Sequence, residues 1–98
     1  TITLHSPFPN PWKINSEEVN FPVPTEVPID EKVELHLFDA NMNEVALPSY
    51  EYPISVVNKF RVVHFGIGEF PAGLSSGVYF FKVRYKNNEI FGKLGVIE

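Results

Sequence analysis

The only serine motif with a catalytic precedent is Gly73-Leu-Ser-Ser-Gly77, which has the G-x-S-x-G form of the nucleophile elbow of α/β-hydrolases. That elbow exposes its serine only where a strand turns sharply into a helix. Here strand-like alternation continues from Val78 to Tyr85, and 98 residues are too few for such a hydrolase fold. We interpret the motif as a glycine- and serine-rich loop that enters a strand.

The segment Asp39-Ala-Asn-Met-Asn43 resembles the start of a calcium-binding loop. Such a loop needs glycine at its sixth position and a bidentate glutamate at its twelfth, where this chain has Glu44 and Tyr50. An irregular calcium site formed by Asp39, Asn41 and Glu44 is an open alternative. A polar turn in which Asp and Asn side chains bond their own backbone explains the same residues, and we favour it. The sequence predicts no metal and no cofactor.

The other reactive side chains are sparse. The three histidines, His5, His36 and His64, are too scattered for a metal motif, and the chain has no cysteine. We expect His36 on the outer face of its strand and His64 near the core. Nothing indicates a Ser/His/Asp constellation. The sequence therefore predicts no catalytic residue and no enzyme.

Aromatic side chains are the remaining candidates for binding. Trp12, Tyr50 and Tyr52 could form a platform on which sugar rings stack, as in a carbohydrate-binding module. Alternatively, they cover the edge of the domain and a junction with a neighbouring domain. We favour the second interpretation.

Composition limits the class of protein and its partners. A chain of 98 residues fits one domain, and a hydrophobic content of 44% with nine Phe predicts that it folds. The net charge is −4 and the eight Lys and Arg form no obvious cluster, so no nucleic-acid partner is predicted. No apolar run approaches the roughly 20 residues of a membrane-spanning helix. The chain begins at Thr1 without a signal peptide, so we expect a fragment or mature piece with any N-terminal targeting signal upstream.

Alternation of apolar and polar residues recurs along the chain and predicts strands over 17–23, 33–37, 60–65, 78–86 and 89–97, with a short one over 44–47. A polar turn over 39–43 and a two-residue hairpin turn at Asn87-Asn88 separate neighbouring runs. Six or seven short strands joined in this way predict an all-β sandwich. The expected core comprises Phe21, Val33, Leu35, Leu37, Tyr79, Phe81, Val83 and Leu94.

Residues 1–15 are predicted to form a proline-rich extended lead-in, and residues 16–98 the domain itself. Pro7, Pro9 and Pro11 restrict the backbone and donate no hydrogen bond. The rings of Phe8 and Trp12 would be costly to leave in water, so we expect both rings to dock on the sandwich. The candidate junction with an upstream domain of the same polypeptide is Phe8, Pro9, Asn10, Pro11 and Trp12.

Four segments in this order resemble a known family. They are Phe8-Pro-Asn-Pro-Trp12, Val19-Asn-Phe-Pro-Val-Pro24, Val33-Glu-Leu-His-Leu-Phe-Asp39 and Leu74-Ser-Ser-Gly-Val-Tyr-Phe-Phe-Lys-Val83. Together they resemble the C-terminal immunoglobulin-like domains that are related to type IX secretion sorting domains and to the Ig-like part of flagellar hook-capping proteins. The resemblance covers nearly the whole chain. It implies an Ig-like (fibronectin III-like) β-sandwich of about seven antiparallel strands.

The same resemblance implies a function. Sorting members are C-terminal modules of secreted or cell-surface bacterial proteins, which the outer-membrane secretion machinery recognises. It implies that the recognised residues are Lys93, Leu94, Gly95, Val96, Ile97 and Glu98, although sorting members tend to end in a basic residue. It also implies a left-handed backbone at Asn43, where the family usually has glycine. A structural appendage that packs on an upstream catalytic domain and a carbohydrate-binding module are the alternatives.

Overall fold

The computed structural model describes residues 6–98, which form two β-sheets and no helix. None of these residues therefore belongs to a helix long and apolar enough to cross a bilayer. One sheet has the strand order β1-β8-β7-β3-β4 and the other β2-β6-β5. In chain order the strands are β1 (Trp12–Lys13), β2 (Val19–Pro22), β3 (Lys32–Phe38), β4 (Glu51–Pro53), β5 (Ser55–Val57), β6 (Phe60–Phe65), β7 (Gly77–Tyr85) and β8 (Asn88–Ile97).

The two sheets pack on each other in a sandwich-like arrangement around a single core. Phe21 of β2 contacts Phe81 of β7 with ring centroids 5.6 Å apart, and Phe65 of β6 meets Tyr52 of β4 at 5.2 Å. These ring pairs join opposite sheets, so the apolar faces of both sheets are buried against each other. The prediction of an all-β fold is confirmed. All members of the expected core are buried: Phe21, Val33, Leu35, Leu37, Tyr79, Phe81, Val83 and Leu94.

The two longest strands form a hairpin, and their alternation sets the faces of the larger sheet. In β7, Tyr79, Phe81 and Val83 point inwards, whereas the residues between them are more exposed. The predicted turn of this hairpin was wrong by one residue. Tyr85 pairs with Asn88, so the turn residues are Lys86 and Asn87. Lys86 takes the positive φ of 53° that a tight turn requires.

The predicted strand over 44–47 is wrong, because residues 39–45 are organised by local hydrogen bonds. Asp39 Oδ1 accepts from the backbone N–H groups of Asn41 and Asn43, both at 2.9 Å. Beyond that turn, Glu44 forms only an isolated bridge with Phe38. The left-handed residue is Met42, with φ 64°, and not Asn43 as the resemblance implied.

Strand number and direction also differ from the prediction. Residues 6–98 form eight strands rather than about seven, and β1 runs parallel to β8 instead of antiparallel. The strands that the sequence analysis missed, β1, β4 and β5, have two, three and three residues. Strands this short do not display enough alternation to be recognised.

Candidate functional site

The two segments predicted to carry function lie side by side. Trp12 pairs with Val96 and Lys13 with Ile97, so β1 of the lead-in lies along the end of β8. The backbone N–H of Ile14 continues this ladder by donating to the carbonyl of Ile97 at 3.0 Å. We call this contact between residues 8–14 and residues 93–98 the β1–β8 seam. Sequence reasoning proposed both segments but gave no reason for them to meet.

Asn10 extends the seam beyond the end of β1. Its Nδ2 donates to the carbonyl of Lys93 at 3.1 Å, and its Oδ1 accepts from the N–H of Gly95 at 2.9 Å. A side-chain amide has both a donor and an acceptor, so it replaces the backbone partner that the neighbouring prolines cannot supply. Gly95 permits this approach, because an added Cβ would lie 3.3 Å from Cβ of Pro11.

Trp12 anchors the seam in the core. Its side chain is 1% exposed, its Nε1 donates to the carbonyl of Glu17 at 2.8 Å, and its ring meets Phe70 edge-on at 5.3 Å. The expected docking of the lead-in rings is confirmed for Trp12, while Phe8 is half-buried against Phe60 at 6.1 Å. A buried Trp12 cannot belong to the sugar-stacking platform of the carbohydrate-binding alternative.

The lead-in also reaches the second sheet. Phe8 and Asn20 of β2 exchange two backbone hydrogen bonds of 3.0 Å, and the Asn20 side chain donates to the carbonyl of Phe8 as well. Oδ1 of the same buried Asn20 lies 2.6 Å from Nδ1 of His64. His64 is half-buried, and Asn20 holds its ring in place. His5 lies outside the described residues.

The remaining seam residues belong to β8 rather than to a loose tail. Leu94 and Val96 are buried, whereas Lys93 and Ile97 are exposed on the outer face of the sheet. Glu98 is tied back to the start of β7: Ser76 N–H donates to its Oε1 at 3.1 Å, and its own N–H donates to Ser76 Oγ at 2.9 Å. In the folded chain, residues 93–98 therefore present the outward side chains of β8 and the exposed Glu98.

The loop that resembled a nucleophile elbow has a structural role. It enters β7 at Gly77, and no helix follows it in residues 6–98. The Tyr79 hydroxyl donates to the carbonyl of Ser75 at 3.0 Å and lies 3.4 Å from Ser75 Oγ. Ser75 is therefore part of the turn that leads into β7.

An ionisable cluster occupies the outer face of β3. His36 Nε2 lies 3.1 Å from Glu34 Oε1, and His36 Nδ1 lies 2.9 Å from Glu44 Oε2. The His36 ring stacks on Tyr50 at 4.9 Å, and Arg84 pairs with Glu34 at 3.1 Å. The hydrogen bonds from His36 and then Arg84 lower the pKa of Glu34. The placement of His36 on the outer face is confirmed.

This cluster bears on the calcium alternative. The carboxylate of Glu44 faces His36, while Asp39 is used by the 39–43 turn. Within residues 6–98, no group of three or more His, Asp or Glu side chains converges in a way that could hold a metal ion.

Tyr50 and Tyr52, the other platform candidates, are half-buried, and the Tyr52 hydroxyl donates to the carbonyl of Ser49 at 2.7 Å. Burial raises the pKa of Tyr52.

A second surface, on the outer face of the β7–β8 hairpin, was missed by sequence reasoning. Phe80 is paired across the strands with Lys93, and Lys82 with Phe91. The two rings stack with centroids 6.2 Å apart and an interplanar angle of 13°. We call these four residues the Phe–Lys square. Alternation in the two strands already placed all four residues on the outer face, but only the register between β7 and β8 brings them together.

An open groove of about 470 Å³ lies beside the seam, at the end of the molecule where residues 66–74 connect the sheets. Its apolar lining includes Ile14, Phe70 and Leu74, and Glu98 lies at its margin. Ile67, in the same connection, is 64% exposed. The groove is therefore of mixed polarity, and Ile67 adds one exposed apolar side chain in the same connection.

No protein-family model, no curated protein and no solved structure matches this chain. The resemblance to sorting and hook-capping domains therefore stays a prediction.

Proposed function

We propose that this chain is a non-catalytic Ig-like module of a secreted or cell-surface bacterial protein, and that it acts as a sorting or anchoring domain of the type IX kind. The observation that carries this proposal is the β1–β8 seam. The proposed domain junction, through Asn10 and Trp12, is bonded directly to the proposed recognition strand at Lys93, Gly95 and Val96. One folded surface thus joins the residues that follow a cargo domain to those that a secretion factor would read.

The strand order supports the Ig-like part of the proposal. If β2, β6 and β5 correspond to strands B, E and D of an Ig sandwich, then β8, β7, β3 and β4 correspond to G, F, C and C′. The bond from the Tyr79 hydroxyl to the carbonyl of Ser75 has the form of a tyrosine corner near the start of strand F. The chain lacks the disulfide between strands B and F of antibody domains, and a Trp from the lead-in is buried in its core.

The seam also indicates how recognition would work. Leu94 and Val96 are committed to the core, so a secretion factor would contact the outward side chains of Lys93 and Ile97 together with the exposed edge at Asn10. Recognition of this kind requires a folded domain. It does not require a free carboxyl-terminal peptide.

The proposal is tested by export of a reporter in a host with an active type IX system. A fluorescent reporter with an N-terminal export signal is fused ahead of residues 1–98. We expect the fusion to reach the cell surface or the medium, and a variant with Lys93→Glu and Ile97→Ser to remain in the periplasm. Both substitutions are on exposed positions of β8, so the domain should stay folded.

A matched control carries the same chemical changes away from β8, Val56→Ser on β5 and Lys59→Glu in the turn that follows it, where both side chains are also exposed. This control should be exported like the unmodified fusion. Removal of residues 93–98 is not a usable variant, because it deletes buried Leu94 and Val96 and would unfold the domain. Retention of the unmodified fusion in the periplasm, with the domain folded, would overturn the sorting role.

That outcome would favour the alternative of a structural appendage on an upstream catalytic domain. Exposed Ile67, beside the groove that Ile14, Phe70 and Leu74 line in part, supports this second candidate. Apolar surface that the folded module does not cover itself is typical of a domain–domain contact.

A further inference from the structure

The Phe–Lys square lies outside the core. Phe91 is 53% exposed, and it lies on the solvent side of β8, opposite the buried Ile90 and Leu94. Aromatic residues in a sheet ordinarily contribute by burial. Two stacked rings held on an outer face, each paired across the strands with a lysine, contribute little to the core of this protein.

The apolar surface continues beyond the square. Val78 is paired with Gly95 and is 45% exposed, and Ile97 is 41% exposed. These residues occupy the same outward positions of β7 and β8 as the square. A continuous apolar strip therefore runs along the hairpin, with Lys82 and Lys93 beside the rings.

The charge of the hairpin is opposite to that of the rest of the chain. Residues 77–97 contain the cations Lys82, Arg84, Lys86 and Lys93 but only the carboxylate of Glu89, a net charge of +3, so the remaining residues carry −7 of the total of −4. The sequence analysis found no basic cluster, and half of the eight Lys and Arg nevertheless lie in this hairpin. Arg84 is paired with Glu34, whereas Lys82 and Lys93 form no ion pair within residues 6–98.

We propose that the outer face of the β7–β8 hairpin is a docking surface for a protein segment that carries both acidic and apolar side chains. Its carboxylates would pair with Lys82 and Lys93, and its apolar side chains would cover Phe80, Phe91 and Val78. Charge complementarity specifies the acidic character of the partner, and the exposed strip specifies its apolar character.

Two other polyanions fit less well. A nucleic-acid strand could stack bases on the two rings, but aliphatic Val78 and Ile97 offer it nothing comparable. An anionic membrane would be attracted to the lysines. However, the rings lie across the flat face of a sheet, and Lys86 and Asn87, not apolar residues, occupy the hairpin tip.

The inference does not depend on the proposed export role. Export is measured in cells with the unmodified fusion, whereas docking is measured on the 98-residue chain in solution. Failure of the export proposal can therefore be told apart from failure of the docking proposal.

The test is a titration of the ¹⁵N-labelled chain followed by amide chemical shifts. The probe is a short synthetic peptide that combines Glu with Leu and Phe. Comparison peptides replace either the Glu residues by Lys or the apolar residues by Ser. We expect only the acidic, apolar peptide to shift amides of β7 and β8, and we expect its affinity to fall with added salt because two lysines contribute.

The double variant Lys82→Glu with Lys93→Glu should weaken this binding by about tenfold. The control is Lys32→Glu with Lys59→Glu, which changes the total charge equally at exposed lysines outside the hairpin and should bind as the unmodified chain does. Equal weakening by both variants, or no shift of hairpin amides, would overturn the proposal. Binding of oligothymidylate or of phosphatidylglycerol vesicles through this face, without binding of the peptide, would also overturn it.

Discussion

The two edges of the five-stranded sheet are closed in different ways. At one edge, β1 pairs with β8, Asn10 bonds the backbone of Lys93 and Gly95, and Trp12 is buried. At the other edge, β4 is a strand of three residues ending at Pro53, beside a cluster of ionisable side chains on β3. Both edges use proline, which cannot extend a ladder and so prevents unwanted strand pairing.

The difference concerns what stabilises each edge. The β1 edge depends mainly on apolar burial and on amide hydrogen bonds, neither of which titrates, while Glu17 and Glu98 add carboxylate acceptors for the N–H groups of Lys13 and Ser76. On the β4 side, the Glu34 carboxylate is bonded to His36 and Arg84, and these bonds lower its pKa. The β1 edge should therefore be the stronger and the less sensitive to pH.

The largest expected effect is at the β1 edge. Trp12→Ala should reduce the free energy of unfolding by about 3–5 kcal/mol, because it removes a side chain that is 1% exposed and leaves a cavity beside Phe70. Urea denaturation followed by tyrosine fluorescence measures this loss. Trp12→Phe is the matched variant, which keeps a ring and loses chiefly the hydrogen bond to Glu17. A loss below about 1 kcal/mol for Trp12→Ala would mean that the lead-in is not an integral part of the fold.

A smaller effect is expected from the Asn10 side chain, whose amide bonds the backbone of Lys93 and Gly95 at the same edge. Asn10→Ala should cost about 1 kcal/mol, since two hydrogen bonds at an exposed position are lost together. Amide hydrogen exchange of Gly95 should become faster in the same variant, because its N–H loses its acceptor. Asn10→Asp keeps the acceptor for Gly95 but not the donor to Lys93, so its stability should lie between that of the unmodified protein and that of Asn10→Ala. Unchanged exchange at Gly95 in Asn10→Ala would contradict the hydrogen bond from the Gly95 N–H to Asn10 Oδ1.

The pH dependence separates the two edges. The pKa of Glu34 is lowered from its ordinary value of 4.5 by the hydrogen bond to His36 and by Arg84. A carboxyl with a lowered pKa contributes stability that is present above its unfolded value and lost as the pH falls through its folded value. Glu34→Gln should therefore flatten the decline in stability below about pH 4.5. Denaturation midpoints measured across this range test the prediction, and Asn10→Ala should keep the slope of the unmodified protein.

The smallest expected effect serves as the reference for both edges. Phe91→Ser changes the outer face between them and should alter stability by no more than about 0.5 kcal/mol, because the side chain is 53% exposed. Thermal denaturation measures this change. The same variant should weaken binding of the acidic, apolar peptide. A large loss of stability would show that the stacked rings of Phe80 and Phe91 support the sheet rather than a partner.

Sequence reasoning predicted most of the central strands because their alternation is long and regular. The runs in β3, β6, β7 and β8 were found at or near their bounds, and every expected core residue is buried. The 44–47 strand was wrong because side-chain bonds from Asp39 dominate the local backbone. The Asn87-Asn88 turn was wrong because Asn is not the only residue that accepts positive φ, and Lys86 adopts it here.

The functional surfaces were only partly accessible from the sequence. Phe8–Trp12 and Lys93–Glu98 were each selected, but their contact spans more than 80 positions and has no local signal. The Phe–Lys square had a signal in the charge of residues 77–97, which is visible only once the hairpin is treated as a unit.

The sequence by itself determined the all-β class, the inward faces of the long strands and the identity of the core, because alternation and apolar content act over a few neighbouring residues. Tertiary structure alone decided the parallel pairing of β1 with β8, the bonds from the Asn10 side chain to Lys93 and Gly95, and the register that stacks Phe80 on Phe91. These features depend on distant backbone groups finding one another. Such pairings are selected by the packing of the whole chain and not by the residues that make them.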